Sequence, residues 1–163
     1  MAESNIEIHT RVGNDQQNWT ANAETLFEGS KVLKRERERS FQSGQASIYS
    51  FSVWIEIMLT AFGMECLIKA IWIKQGNRLA RDGKYIPIIK DERHQLVKLC
   101  EAVGFALNQR EADVLERMCD IATSIGRYPI PRRAGQSEGV CSWSSEDDDI
   151  IENLVVKLRT QLQ

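Results

Sequence analysis

Three arginines fall within one heptapeptide, Arg127, Arg132 and Arg133, with Tyr128 beside the first and Pro129 and Pro131 between them. A guanidinium is a planar fork of donors that matches the paired oxygens of a phosphate or carboxylate, and a tyrosine ring can stack on a base. Two readings of this segment stand side by side. In one it binds a phosphate-bearing ligand; in the other Arg127 pairs with the body of the protein while the prolines stiffen the exit from a helix. The second chemical group is His94, one of only two histidines. An imidazole exchanges a proton near neutral pH. His94 stands ahead of the amphipathic stretch HQLVKLCEAVG, where it either bonds a backbone group at a helix start or joins Arg127 in a composite phosphate site. The third is a pair, Glu65 and Lys69, four residues apart and so on one helix face. It is either an ion pair that fixes helix register or the polar floor of a cleft.

The elements that must position these groups are mostly helical. Residues 48–73 (IYSFSVWIEIMLTAFGMECLIKAIWI) carry only Glu56, Glu65 and Lys69 as charges. A helix apolar on all sides is buried on all sides, in a bilayer or in a bundle. Charges this far inside the run oppose insertion by about 2.5–3.5 kcal/mol each, which favours the bundle. Residues 1–14 are polar and are expected to be mobile, apart from a short docked piece at Ile6 and Ile8. A helix follows from Asp15 to about Ser40, with Trp19, Leu26, Val32 and Leu33 inward; its alternating run KRERERS (34–40) reads as a solvated face. Gly44 loosens or ends it, and Ser47 can cap the long apolar helix. Gly76 and Asn77 stop that helix, and 77–91 is a loop with an Asp-Gly turn. Helices are expected over Asp91 to Val103, ended by Gly104, and over 109–125, capped by Asn108. A Gly/Ser loop at 134–146 contains Trp143. Ser145 and Asp148 then resemble a capping box, with Glu146 to Asp149 in the first turn of a final helix.

Composition narrows the function. Net charge is −2 over 163 residues, which argues against a protein that coats nucleic acid and leaves room for a local basic patch. Cys66, Cys100, Cys119 and Cys141 form no CxxC pair, so neither a zinc site nor a disulfide framework is expected; three of them fall on apolar helical faces, as small core residues do. No metal and no cofactor is expected, and the location expected is the reducing cytoplasm. Phosphate loops, dinucleotide fingerprints and Ser-His-Asp or Cys-His patterns are absent.

Three motifs in order carry a resemblance. AFGMECLIKAI has Gly63, Glu65 and Lys69 in a small–x–Glu–x–x–x–Lys pattern; His94, Leu96 and Leu99 make HxLxxL after a loop; Arg127-Tyr128-Pro129 follows the next helix. Over residues 45–133 this succession resembles the HEPN family of small all-helical domains. The resemblance implies an all-α antiparallel bundle of four to five helices, a single domain over 15–163, and a homodimer. It also implies a role in prokaryotic toxin–antitoxin or antiviral defence systems, sometimes beside a nucleotidyltransferase. Ribonucleases of the family carry an Arg and, with four to six residues between them, a His. Here the window after Arg127 holds Arg132, Arg133 and Ala134 instead, and neither histidine follows an arginine at that spacing. An arginine stays protonated and is a poor base. The expectation is therefore a non-catalytic or regulatory protein that binds a partner protein, a nucleotide or RNA through Arg127, Tyr128, Arg132, Arg133, Lys69 and Glu65. The alternatives are an atypical endoribonuclease using His94 with Arg127, and a structural dimerisation module.

Overall fold

The computed structural model describes residues 3–44, 52–90, 92, 94–124 and 143–163. The chain is an all-α bundle, with one two-stranded hairpin among the described residues. Six helices lie among the described residues: α1 (Asn5–Gly13), α2 (Gln16–Gln42), α3 (Ser52–Lys74), α4 (Leu96–Ala102), α5 (Gln109–Thr123) and α6 (Ser145–Thr160). Strands β1 (Ala80–Arg81) and β2 (Lys84–Tyr85) pair antiparallel, Ala80 with Tyr85 and Arg81 with Lys84. None of the helices is long and apolar enough to cross a membrane.

The apolar α3 is the axis. Ala61, Met64, Leu67, Ile68 and Ala70 are at most 1 % exposed because helices α2, α4, α5 and α6 surround them. Leu96 and Leu99 (α4), Leu115, Met118 and Ile121 (α5), and Leu154 and Leu158 (α6) complete the core. Burial of this many branched side chains, each contributing roughly 1.5–3 kcal/mol, is the main stabilising term. Helix α2 lies closest to α3. Gly63 makes that approach possible, since a Cβ there would meet the Phe27 ring at 2.6 Å. The same two helices share a polar seam: Ser30 Oγ donates to Glu56 O (3.0 Å), and Arg37 grips the buried Glu56 carboxylate with two bonds (2.8 and 3.0 Å). The charge run of α2 is thus divided. Arg35, Glu38 and Arg39 are exposed as expected, but Arg37 turns inward and Lys34 reaches Asp148 and Glu152 of α6.

Several local expectations are corrected. The N-terminal segment, where no helix is expected, contains α1, held at its start by a capping box in which the Ser4 side chain accepts from Glu7 N and Glu7 accepts from Ser4 N. Helix α4 begins at Leu96, not Asp91, because His94 sits at φ 56° and cannot continue a right-handed helix. The box of α6 pairs Ser144 with Asp147, one residue earlier than Ser145 with Asp148. Trp143 packs against the core and its indole N–H donates to Asp148 (2.8 Å). The Asp-Gly turn is a hairpin: Asp82 (φ 51°) and Gly83 (φ 73°) both take the positive φ that a two-residue type I′ connection requires. Ser47 and the stop at Gly126 lie outside the described residues.

Asn14 ties this hairpin to the bundle. Its Oδ1 accepts from Leu79 N (2.8 Å) and Ala80 N (3.0 Å), while Nδ2 donates to Ala80 O (2.7 Å) and Thr10 O (2.9 Å). Leu79 and Ala80 are fully buried, so those groups have no access to water. Asn14→Ala is expected to cost about 2–3 kcal/mol by leaving them unsatisfied. Hydrogen exchange checks this: the Leu79 and Ala80 amides should lose protection before those of α3.

Candidate functional site

Glu65 and Lys69 face the hairpin and the loop that follows it, and there they meet three residues that spacing alone did not connect. Lys69 Nζ lies 2.6 Å from Glu65 Oε1 and 2.9 Å from Glu92 Oε1. The ammonium also sits 5.1 Å from the centroids of both the Trp19 and Tyr85 rings, within reach of their negative faces. Tyr85 OH donates to Glu92 Oε1 (2.7 Å), and Ile88 N donates to Glu92 Oε2 (2.7 Å). On the other side of Glu65, Oε2 is 2.5 Å from His94 Nδ1. The result is a chain of contacts, His94–Glu65–Lys69–Glu92–Tyr85, that joins α3 to the hairpin and to the loop before α4.

Burial makes the charges of this chain interdependent. The Glu65, Lys69 and Glu92 side chains are about a tenth exposed or less, while His94 keeps 27 %. Burial alone pushes the Glu65 carboxyl up, but the His94 hydrogen bond and the Lys69 charge outweigh it and hold the group below the usual carboxylate range. Lys69 is likewise desolvated, yet its two carboxylates raise it above an ordinary ammonium. The Tyr85 phenol is pushed up to about 12, mainly by burial, so it stays a donor to Glu92. Both ends of the Glu65–Lys69 pair are therefore ionised at neutral pH.

His94 is held from three directions. Glu65 takes Nδ1, the Phe62 ring lies 4.7 Å away at 41°, and the backbone occupies the left-handed region, where histidine is tolerated better than most residues but still at a cost of about 1–2 kcal/mol. The turn so made frees α4 to start two residues on, where Leu96 N donates to Cys119 Sγ (3.3 Å) of α5. That thiol is pushed up to about 11, and Cys100 up to about 12, both chiefly by burial, so neither is a nucleophile at neutral pH.

Arg127, Tyr128, Arg132 and Arg133 lie outside the described residues, so the structure assembles the Glu65, Lys69 and His94 portion of the expected site alone. Among the described residues no group of His, Cys, Asp or Glu is arranged to hold a metal ion. Lys69 itself stands between the two carboxylates. A cleft of about 360 Å³ lies elsewhere, between α2, α3 and α6. Phe27, Ile57 and Val155 line it, and two ion pairs span it, Arg159 with Glu24 and Lys34 with the acids of α6.

Comparison of the chain with protein-family models, curated proteins and solved structures finds no match in any of the three. Sequence reasoning missed Glu92 and Tyr85. The one signal available was a glutamate two residues before His94, in a loop where charge is unremarkable.

Proposed function

We propose that this protein is a non-catalytic, HEPN-like regulatory module of a prokaryotic defence or toxin–antitoxin system, which binds a phosphate-bearing ligand, nucleotide or RNA, or a partner protein. The observation that carries this reading is the mutual neutralisation of Glu65, Lys69 and Glu92 inside the bundle. A lysine gripped by two carboxylates is not available to stabilise charge on a reacting phosphate. These groups serve instead as the rigid backing of His94, and the contacts to ligand fall to His94, Arg127, Tyr128, Arg132 and Arg133. Val32, Phe41 and Ile55, 41–61 % exposed on α2 and α3, supply apolar surface for the homodimer that this reading includes.

One observation favours a second reading, a metal-independent endoribonuclease using His94 with Arg127. A carboxylate behind an imidazole, Glu65 behind His94, is the arrangement that orients a general base. One experiment separates the two. The purified protein is incubated with total RNA in EDTA, beside His94→Ala and Arg127→Ala. The expected result is RNA retention without cleavage, weakened in Arg127→Ala. Cleavage by the wild type and by neither variant would replace the binding reading with the catalytic one. The absence of both retention and cleavage would leave protein partnership, tested by co-expression with a small nucleotidyltransferase of the toxin–antitoxin type.

A further inference from the structure

The hairpin adds a second surface to the nucleic-acid reading above, and its role rests on that reading. Most cations of this chain are matched by acids. Among the described residues, every lysine and arginine of α1, α5 and α6 stands within ion-pair distance of a carboxylate, and so does every one of α2 except Arg35. The hairpin breaks this pattern. Arg78, Arg81 and Lys84 are exposed and pair with no carboxylate among the described residues. Asp82, the turn residue at φ 51°, forms an ion pair with neither of the cations that flank the turn.

Register makes two of these cations neighbours. Arg81 and Lys84 are paired directly across the hairpin, which sets their Cα atoms roughly 4.5–5.5 Å apart and both side chains on one face. Side chains alternate along a strand, so Ala80 and Tyr85 take the opposite face. That inner face is tied down. Ala80 is buried with its backbone bonded to Asn14, and the Tyr85 hydroxyl is bonded to Glu92. Arg81 and Lys84 are thereby held outward on a fixed mount.

Like charges placed directly opposite each other cost stability, and no acid among the described residues relieves that cost here. An anion lying against both does. A chain of phosphodiesters suits the pair better than a single anion, since it offers successive charges. The guanidinium fork takes two oxygens of one group, the ammonium takes a neighbouring group, and Arg78 remains for a third. We infer that the β1–β2 hairpin is a contact for the phosphodiester backbone of nucleic acid, with Arg81 and Lys84 on successive phosphates. Contacts of this kind carry no base information, so they fix where a strand lies and leave its selection to other residues.

The test is the salt dependence of binding, read by fluorescence anisotropy with labelled oligouridine and oligoadenine over a series of salt concentrations. Each phosphate contact on a single strand adds about 0.7 to the slope of log K against log salt. Arg81→Gln with Lys84→Gln is expected to lower the slope by about 1.4, alike for both oligonucleotides. Lys31→Gln with Arg39→Gln removes the same formal charge from cations that already have Glu28 and Glu36 as partners, and should leave the slope in place. The thermal midpoint of the hairpin variant should not fall, because the change removes a repulsion; a fall would trace the loss of binding to a weakened hairpin and overturn the contact. Equal losses of slope in the two double variants would overturn it in favour of net charge. A slope unchanged in the hairpin variant, with Arg127→Ala still weakening binding, would overturn the hairpin contact and leave the nucleic-acid reading standing. Failure of the wild type to bind either oligonucleotide at any salt would remove both, and binding of phosphatidylserine vesicles in their place would assign the two cations to a lipid surface.

Discussion

Gly63→Ala is expected to destabilise the protein by about 2 kcal/mol, although alanine is the better helix former by about 1 kcal/mol. The new methyl would lie 2.6 Å from Phe27 Cε1 and 2.9 Å from Cδ1 and Cζ, distances at which something must move. Phe27 is only 5 % exposed, and the Arg159 guanidinium lies 5.2 Å from its ring centroid, itself clamped by two bonds to Glu24. The ring is boxed in, so α2 must retreat from α3 along their whole shared seam. Thermal unfolding should shift down by roughly 4–8 °C for a chain of this size. Phe27→Leu in the Gly63→Ala background should recover part of the loss by making room. A midpoint that rises in the single variant would mean that propensity, not the ring, governs this position.

The second large effect belongs to Lys69. Lys69→Met keeps the length of the side chain and removes the charge that Glu65 and Glu92 share, so two buried carboxylates are left without a cation. Breaking a buried pair from one side typically costs about 3–5 kcal/mol, and that is the loss expected at pH 7. The pH dependence has a definite sign. In the wild type Glu65 is held below its ordinary value, so its contribution is present above the unfolded value, near 4.3, and disappears as pH falls through the lower folded value. In the variant the cation is gone while burial remains, which raises both carboxyls and lets them take up protons while the protein is still folded. The deficit should therefore shrink between pH 7 and pH 4.5. Urea unfolding at the two pH values reads this directly. An equal deficit at both would assign the loss to packing against Trp19 and Tyr85 rather than to charge.

How much of this was legible in the sequence depends on the range of the interaction concerned. The apolar run in α3 marked the axis, since its burial needs no partner to be specified, and the Asn108 cap and the glycine stops at 76 and 104 are decided within a few residues. The Glu65–Lys69 pair was legible for the same reason, being one helical turn apart. What was hidden is long-range. Asn14 meets Leu79 and Ala80 across more than sixty residues, and Lys69 meets Glu92 through a hairpin whose direction no local pattern reports. The start of α4 was misplaced because a tertiary contact, Glu65 with His94, holds a left-handed turn that propensity would not choose. Arg37 in the alternating run looked like its neighbours until Glu56 gave it a buried partner.

The buried ionic chain also constrains how this protein can change over generations. Glu65, Lys69 and Glu92 each compensate another, so most single replacements pass through an intermediate with an uncompensated charge in a dry site, whereas replacing all three by apolar residues of similar volume need not lose stability. The two states are separated by a valley that one substitution at a time crosses poorly. Lineages that drift freely on the exposed face of α2 would be held at these three positions by epistasis, whether or not a ligand ever touches them.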